Sequence, residues 1–261
     1  MGGRKISVIM PALNEERSLP HAAANVLDCF RLLSLDGELL VVNDGSSDGT
    51  AAIAEGLAAS FSSVCVIHHQ TPQGIGAAFR DALQVASGEL VVYIPGDGEI
   101  DAAEILRYVP LLAEADLVVP FVQNPQVRSW SRRLLSSCYH RIMTRTFGVS
   151  LRYLNGTVIY RRAIFEGVTI NNPGFFYQAE LLIKVLRRKY LHVEVPYVQQ
   201  KRIGGKSKSI TPRALTAVFK GYLALIAELH VIKRDKPVIA PLSITALKER
   251  DGIPLASGKQ P

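Results

Sequence analysis

Between residues 6 and 120 the chain alternates short runs of β-branched and aliphatic residues with longer segments whose apolar positions recur every three or four residues. The runs at 6–10, 39–42, 64–68, 90–94 and 117–120 read as strands, and the segments near 19–33, 51–59, 76–86 and 102–113 as amphipathic helices. A series of this kind predicts an α/β fold with a mainly parallel central sheet covered by helices. Thr50, after Asp48-Gly49, is the expected cap of the second helix. Beyond residue 120 the pattern changes to a basic helix at about 129–147, a hairpin over 151–160, a helix at about 178–189 and a strand at 192–195. Residues 213–234 place Leu215, Val218, Phe219, Tyr222, Leu223, Ile226, Leu229 and Ile232 on one helical face. Packing of that face on the domain is weighed slightly above docking in a membrane interface. Residues 235–261 carry four prolines and little periodicity, and read as an irregular tail.

Two of the strand-like runs end in acidic, glycine-containing turns, Asn43-Asp44-Gly45-Ser46 and Pro95-Gly96-Asp97-Gly98-Glu99. In an open α/β sheet ligands collect beyond the carboxyl ends of the strands, so acids placed there face a crevice. Asp97 and Glu99, with only Gly98 between them, can reach one hard divalent cation, Mg2+ or Mn2+, completed by water and a substrate diphosphate. Either turn alone is better explained as an ordinary surface turn. Together, at matching strand ends, they point to a nucleotide and metal site.

Composition narrows the class without changing this picture. At 261 residues, 48% hydrophobic and 20% charged, the chain suits one globular catalytic domain with a tail, and no run approaches transmembrane length. Met1-Gly2-Gly3-Arg4-Lys5 leads at once into a strand, which leaves no room for a signal peptide and predicts a cytoplasmic protein. Cys29, Cys65 and Cys138 are odd in number and lack metal-ligand spacing, as expected of reduced, mostly buried thiols. The net charge of +7 is concentrated at 128–145, 161–162, 184–189 and 201–208, predicting a cationic face for an anionic partner. Nucleotide phosphates, a lipid phosphate and an acidic membrane surface all qualify; nucleic acid does not, for want of any accompanying nucleic-acid motif.

The ordered set Pro11-Ala12-Leu13-Asn14-Glu15-Glu16, Asn43-Asp44-Gly45-Ser46-Ser47-Asp48-Gly49-Thr50, Gly74-Ile75-Gly76-Ala77-Ala78 and Asp97-Gly98-Glu99 resembles the family 2 glycosyltransferases of GT-A fold. The resemblance continues through Asn155-Gly156, Gln178-Ala179-Glu180, Glu194-Val195-Pro196 and the loop from Arg202 to Lys208, covering roughly residues 5–210. Within that family it is nearest to the polyprenol-phosphate glycosyltransferases, of which dolichyl-phosphate mannose synthase is the familiar member. It implies a catalytic domain over 1–210, with a nucleotide-binding half at 1–120 and an acceptor half at 121–210, then an amphipathic helix at 211–234 and the tail.

Carried over residue by residue, the resemblance implies that Pro11, Asn14, Glu15, Asp44 and Gly74 bind the nucleotide, and that Asp97 and Glu99 match the metal-binding acidic pair. Arg202 and Lys208 would neutralise the departing diphosphate from a loop whose glycines permit closure. Arg132 and Ser136, one helical turn apart, with Arg133 beside them, would hold an acceptor lipid phosphate. Glu180 or Asp97 is the nearest general base if the acceptor is a sugar hydroxyl; an ionised phosphate acceptor needs none, and Glu180 would then orient an arginine or the acceptor pocket. Asp101 reads as the next helix's N-cap. The chain departs from the subgroup at Gln73, at Arg152 and in having no C-terminal transmembrane pair.

An oxidoreductase reading of Gly74-Ile75-Gly76 fails because the glycines follow the third strand and Phe79 occupies the third small position. A sugar nucleotidyltransferase would open with a glycine- and arginine-rich phosphate loop, and a scaffold would not need the acidic pair. The sequence therefore predicts an inverting, metal-dependent transferase moving sugar from a UDP- or GDP-sugar to a polyprenyl phosphate, peripheral to the cytoplasmic membrane face. The alternative is transfer to a sugar hydroxyl in cell-surface polysaccharide or glycolipid synthesis.

Overall fold

Among the described residues, seven strands, β1 (Ile6–Ala12), β2 (Gly37–Asp44), β3 (Val64–His69), β4 (Leu90–Tyr93), β5 (Leu117–Val122), β6 (Ile159–Arg161) and β7 (His192–Tyr197), form one sheet in the order β3-β2-β1-β4-β6-β5-β7. The computed structural model describes residues 5–127, 130–200, 211–232 and 239–253, without the side chains of Ser131, Arg132, Arg213, Val231 and Ile232. Every pairing is parallel except those of β6, which runs antiparallel to β4 and β5. Strands β1, β2 and β4 are apolar on both faces, as a sheet covered on two sides requires. Ile9, Leu40, Val42 and Val91 enter one core, while Val8, Met10, Leu39, Val41 and Val92 enter the other.

The α-helices of the described residues are α1 (Leu19–Leu32), α2 (Thr50–Ser60), α3 (Ile75–Val85), α4 (Ala102–Leu106), α5 (Trp130–Phe147), α6 (Tyr177–Arg187), α7 (Pro212–Ile226) and α8 (Ile244–Arg250). Helix α1 shows why they form: Pro20 presets its first turn, and Leu19, Ala22, Ala23, Val26, Cys29 and Phe30 recur at helical spacing and are buried. The chain steps from β1 outward through β2 to β3, then returns to place β4 on the other side of β1. The crevice at that reversal, beyond the carboxyl ends of β1 and β4, is where an α/β sheet binds ligands.

Five local expectations are corrected. No hairpin forms over residues 151–160: only β6 pairs, and Leu151, Leu154 and Val158 turn into the core at irregular spacing. Thr50 opens α2 rather than capping it; Asp48 Oδ1 accepts from Thr50 N–H (3.0 Å) and Oγ1 (2.5 Å). Burial works against the Asp48 carboxylate, yet its bonds from Thr50 and Glu16 outweigh it and hold the pKa below the usual range. Part of the expected tail is helical, since Ser243 caps α8 and Asp116, fully buried at the start of β5, accepts from Ile244 N–H and Thr245 N–H. Only Cys29 is a buried thiol, its pKa pushed to about 11 by burial and then by Asp101 and Asp28; Cys65 and Cys138 are exposed. Finally, part of the expected positive face is internal. Arg161 faces Asp116, Arg188 binds the carbonyls of Glu166 and Gly167, and Lys184 is buried, so none of these three belongs to a cationic face, whereas Arg162 is exposed while donating to the Ala86 carbonyl.

Candidate active site

A cleft of about 440 Å³ opens at the β1/β4 reversal and is lined by Pro11, Glu15, Asp44, Gly74, Asp97, Glu99 and Ser136 among others. Seven of the residues singled out in the sequence thus converge on one space from four loops and a helix. Asn14 does not line it. With φ of 53° it is exposed, and its Oδ1 accepts from Ser47 N–H (2.8 Å) while its own N–H donates to Ser46 Oγ (3.0 Å). Asn14 clasps the loops that follow β1 and β2 together rather than presenting a group to the cleft.

The acids are fixed mainly by backbone. Asp44, buried at the end of β2, accepts from Gln73 N–H (2.8 Å) and Gly74 N–H (2.9 Å) and from His69 Nδ1 (2.7 Å). Its carboxylate therefore orders the turn entering α3 as well as lining the cleft. Gly74 has φ of 99°, and a β-carbon there would lie 2.5 Å from the Pro173 carbonyl, so only glycine fits. Asp97 and Glu99 are half-buried; Glu99 N–H donates to Asp97 Oδ1 (3.0 Å) in a turn that Gly98 permits at φ of 72°. Gly96 N–H holds that turn to the Pro11 carbonyl (3.2 Å), and Gln199 Nε2 donates to Glu99 Oε2 (3.0 Å).

This pair suits a hard divalent cation. Two carboxylates offer oxygen ligands from one rigid turn, and no cluster of three or more His, Cys, Asp or Glu that could hold a metal occurs among the described residues. Further ligands would come from a diphosphate and water, as Mg2+ prefers. Asp101 is the α4 cap, accepting from Ala103 N–H (3.0 Å).

The opposite wall comes from the second half of the chain. Ser136 and Tyr139, one turn apart on α5, face Tyr153, Asn155, Phe175, Gln178 and, from α7, Leu215 and Val218. Burial raises the Tyr139 phenol well above its ordinary pKa, so it stays a neutral hydrogen-bond donor beside Asn155 (3.4 Å). Tyr139 and Gln199 carry no role in the sequence reading. The spacing of Ser136 and Tyr139 could have revealed the first; Gln199 left no local signal. Arg133 is exposed and lies outside the cleft lining, the Arg132 side chain lies outside the described residues, and Arg202 and Lys208 lie outside them altogether.

Glu180 is the main relocation. It does not line the cleft but is buried behind it, accepting from Asn171 N–H (3.0 Å) and Asn172 N–H (2.9 Å) and from Lys184 Nζ (2.8 Å). A carboxylate so engaged is not placed to deprotonate a substrate in the cleft.

The comparisons with known proteins agree with this architecture. Over 232 residues the chain is 29% identical to the polyprenol monophosphomannose synthase of Mycolicibacterium smegmatis, covering 82% of this chain and 84% of that protein. It is 30% identical over 219 residues to the undecaprenyl-phosphate mannosyltransferase of Micrococcus luteus, covering 78% and 87%. Among solved structures, glucosyl-3-phosphoglycerate synthase from Mycobacterium tuberculosis, crystallised with Mg2+ and UDP, superposes with a TM-score of 0.65 at 24% identity, covering 85% of this chain and 79% of that one. That likeness supports the GT-A fold. The family model for glycosyl transferase family 2 matches residues 7–169, the stretch that carries strands β1 to β6, the acidic turns and the first part of the facing wall. This chain is a member of glycosyl transferase family 2.

Proposed function

We propose that the cleft transfers a sugar from a UDP- or GDP-sugar to a polyprenyl phosphate, with inversion, at a cytoplasmic membrane face. The observation that carries the acceptor side is the polarity of the two walls. The nucleotide side is rich in acids and backbone N–H groups, whereas the facing wall continues into apolar side chains that water would not favour. On α7, Val218, Tyr222, Leu225 and Ile226 pack on the core, while Leu215, Phe219 and Leu223, four residues apart, remain exposed. The helix thus packs on the protein and still presents an apolar stripe. On α5, Trp130 and Leu134 are exposed one turn apart, and Leu135 and Ser136 enter the cleft. An amphiphile with an anionic head and an isoprenoid tail fits such a boundary. Peripheral contact is the form this takes, because no helix among the described residues is long and apolar enough to cross a membrane.

In this reading Asp97 and Glu99 hold a divalent cation, which when bound offsets charge on the nucleoside diphosphate. Pro11, Glu15 and Asp44 position the nucleoside. Ser136 and Arg132 steer the acceptor phosphate, Arg133 adds positive charge from the exposed side of the same helix, and the neutral Tyr139 phenol, held by Asn155, lines the same space. An acceptor phosphate oxygen attacks the anomeric carbon in line with the bond to the diphosphate oxygen; that bond breaks and the nucleoside diphosphate leaves, with Arg202 and Lys208 as its cationic partners. The phosphate is already ionised, so no general base is needed. Engagement of Glu180 behind the cleft removes one of the two bases available to a sugar hydroxyl, and Asp97, the other, is assigned to the cation in this reading.

The test is nucleotide release by purified protein with Mg2+ or Mn2+ and a panel of UDP- and GDP-sugars, with and without undecaprenyl or dolichyl phosphate. Release that depends on the lipid phosphate is expected with one donor. Release that occurs only with a hydroxyl-bearing sugar acceptor would overturn the acceptor assignment, and full turnover in excess chelator would overturn the metal.

A further inference from the structure

Behind the facing wall lies a buried charge cluster that the transfer itself does not use. Lys184 on α6 is almost completely enclosed, and its ammonium donates to three oxygens: Glu180 Oε1 (2.8 Å), Glu228 Oε1 (2.7 Å) and the Thr169 carbonyl (2.9 Å). Each partner belongs to a different piece of the wall. Glu180 holds Asn171 N–H and Asn172 N–H, which set the loop that presents Phe175 and Phe176 to the cleft. Glu228 lies in the wide π-helical turn Ala227–Ile232 that ends α7, the helix presenting Leu215 and Val218. Asn171 Nδ2 closes the triangle on Glu228 Oε2 (3.0 Å). Loop and helix also touch directly, since a β-carbon at Gly221 would lie 2.6 Å from Asn172 Nδ2 and 2.7 Å from Phe176.

We infer that Lys184 is a positioning residue for the acceptor: one ammonium clamps the 171–176 loop and α7 in register, and so sets the width of the wall against which the acceptor binds. A buried cation with all three donors engaged fixes direction as well as distance, which apolar packing alone does not. An open pocket of about 650 Å³ adjoins the cluster and is lined by Lys184, Glu180, Glu228 and Lys220, so on that side the cluster borders space rather than close packing. The nucleotide side hangs on β1, β2 and β4 instead, and the clamped loop meets it at the backbone of Gly74, Gly76 and Ala77 through the Pro173 carbonyl. The kinetic consequence rests on the lipid-phosphate reading; the clamp does not.

Lys184→Met and Glu228→Gln are compared with wild type by hydrogen exchange and by steady-state kinetics. Backbone amides of 171–176 and 212–226 are expected to exchange faster together, while those of 6–12 and 37–44 are unchanged. The acceptor KM is expected to rise about tenfold, with UDP or GDP affinity by calorimetry staying within about threefold. Faster exchange confined to one of the two segments overturns the clamp, as does a loss of nucleotide affinity equal to the rise in acceptor KM. If Lys184→Met does not fold, Glu228→Gln, whose amide still binds Asn171, gives the same readings. If wild type transfers nothing to a polyprenyl phosphate, the proposed function falls, and the exchange pattern alone decides the clamp.

Discussion

On the nucleotide side of the cleft, Pro11, Asp44 and Asp97 sit at or just past the ends of adjacent parallel strands, and their loops are tied by backbone N–H groups to carboxylates or carbonyls. On the acceptor side, Tyr153, Asn155, Phe175 and Phe176 lie outside any strand, and beyond the Asn171 and Asn172 N–H groups held by Glu180 the wall is tied by side chain to side chain: Lys184 to Glu228, Asn171 to Glu228, Thr146 Oγ1 to Tyr222 at 2.9 Å. A wall hung on a sheet can hold a common nucleotide to within a fraction of an ångström. A wall hung on helices and side-chain ties can be rebuilt for a different acceptor without disturbing the first. The prediction with the largest effect probes the rigid side. Asp97→Asn keeps an oxygen for the Glu99 N–H, so stability should be near wild type, while kcat should fall on the order of a thousandfold through loss of the ligand charge. Turnover within tenfold of wild type, in protein folded by circular dichroism, would show that the rigid side does not carry the chemistry.

The next test attacks the seam between the walls. Gly74 bonds Asp44 on one side and abuts Pro173 on the other, and Gly76 N–H donates to the Pro173 carbonyl at 2.7 Å. Gly74→Ala meets both a positive φ and a carbonyl at 2.5 Å, and should cost about 3 kcal/mol in urea unfolding. Gly56→Ala is the control: a β-carbon there meets nothing within 4 Å inside α2, so that change should stabilise by about 0.5 kcal/mol or more. Equal effects of the two would mean that the seam is not strained against substitution.

The same contrast explains how much could be read without coordinates. Asp44, Asp97 and Glu99 were legible because a strand run followed by an acidic glycine turn fixes both the element and the direction in which the side chains leave it. Glu180 was legible as an acid on a helix but not in its direction, since its partners are N–H groups eight and nine residues upstream in an irregular loop. Asn14 was misdirected for the same reason, its partner Ser47 lying 33 positions away. Helix α8 was hidden because its anchor, Asp116, is separated from Thr245 by 129 positions, and no local pattern encodes such a bond. The absent hairpin is the converse: Leu151, Leu154 and Val158 look strand-like in a short window, yet their spacing of three and four serves a coil that dips into the core beside α5.

The smallest effect sharpens the comparison at its apolar margin. Trp130 is 73% exposed and Phe219 59% exposed, so neither contributes much to the core, and the double change Trp130→Ala, Phe219→Ala should leave the thermal midpoint near wild type. If these rings dip into lipid, partial burial of the two is worth about 1–2 kcal/mol, and the KM for a polyprenyl phosphate presented in vesicles should rise about tenfold. A water-soluble, short-chain isoprenyl phosphate bypasses the surface, so its KM should change less than about twofold. Equal losses with both acceptors would place the rings at the acceptor itself rather than at the membrane, and no loss with either would leave the apolar margin without a part in catalysis. Only the split between the two acceptors separates a wall that recognises a phosphate from a margin that finds the surface carrying it.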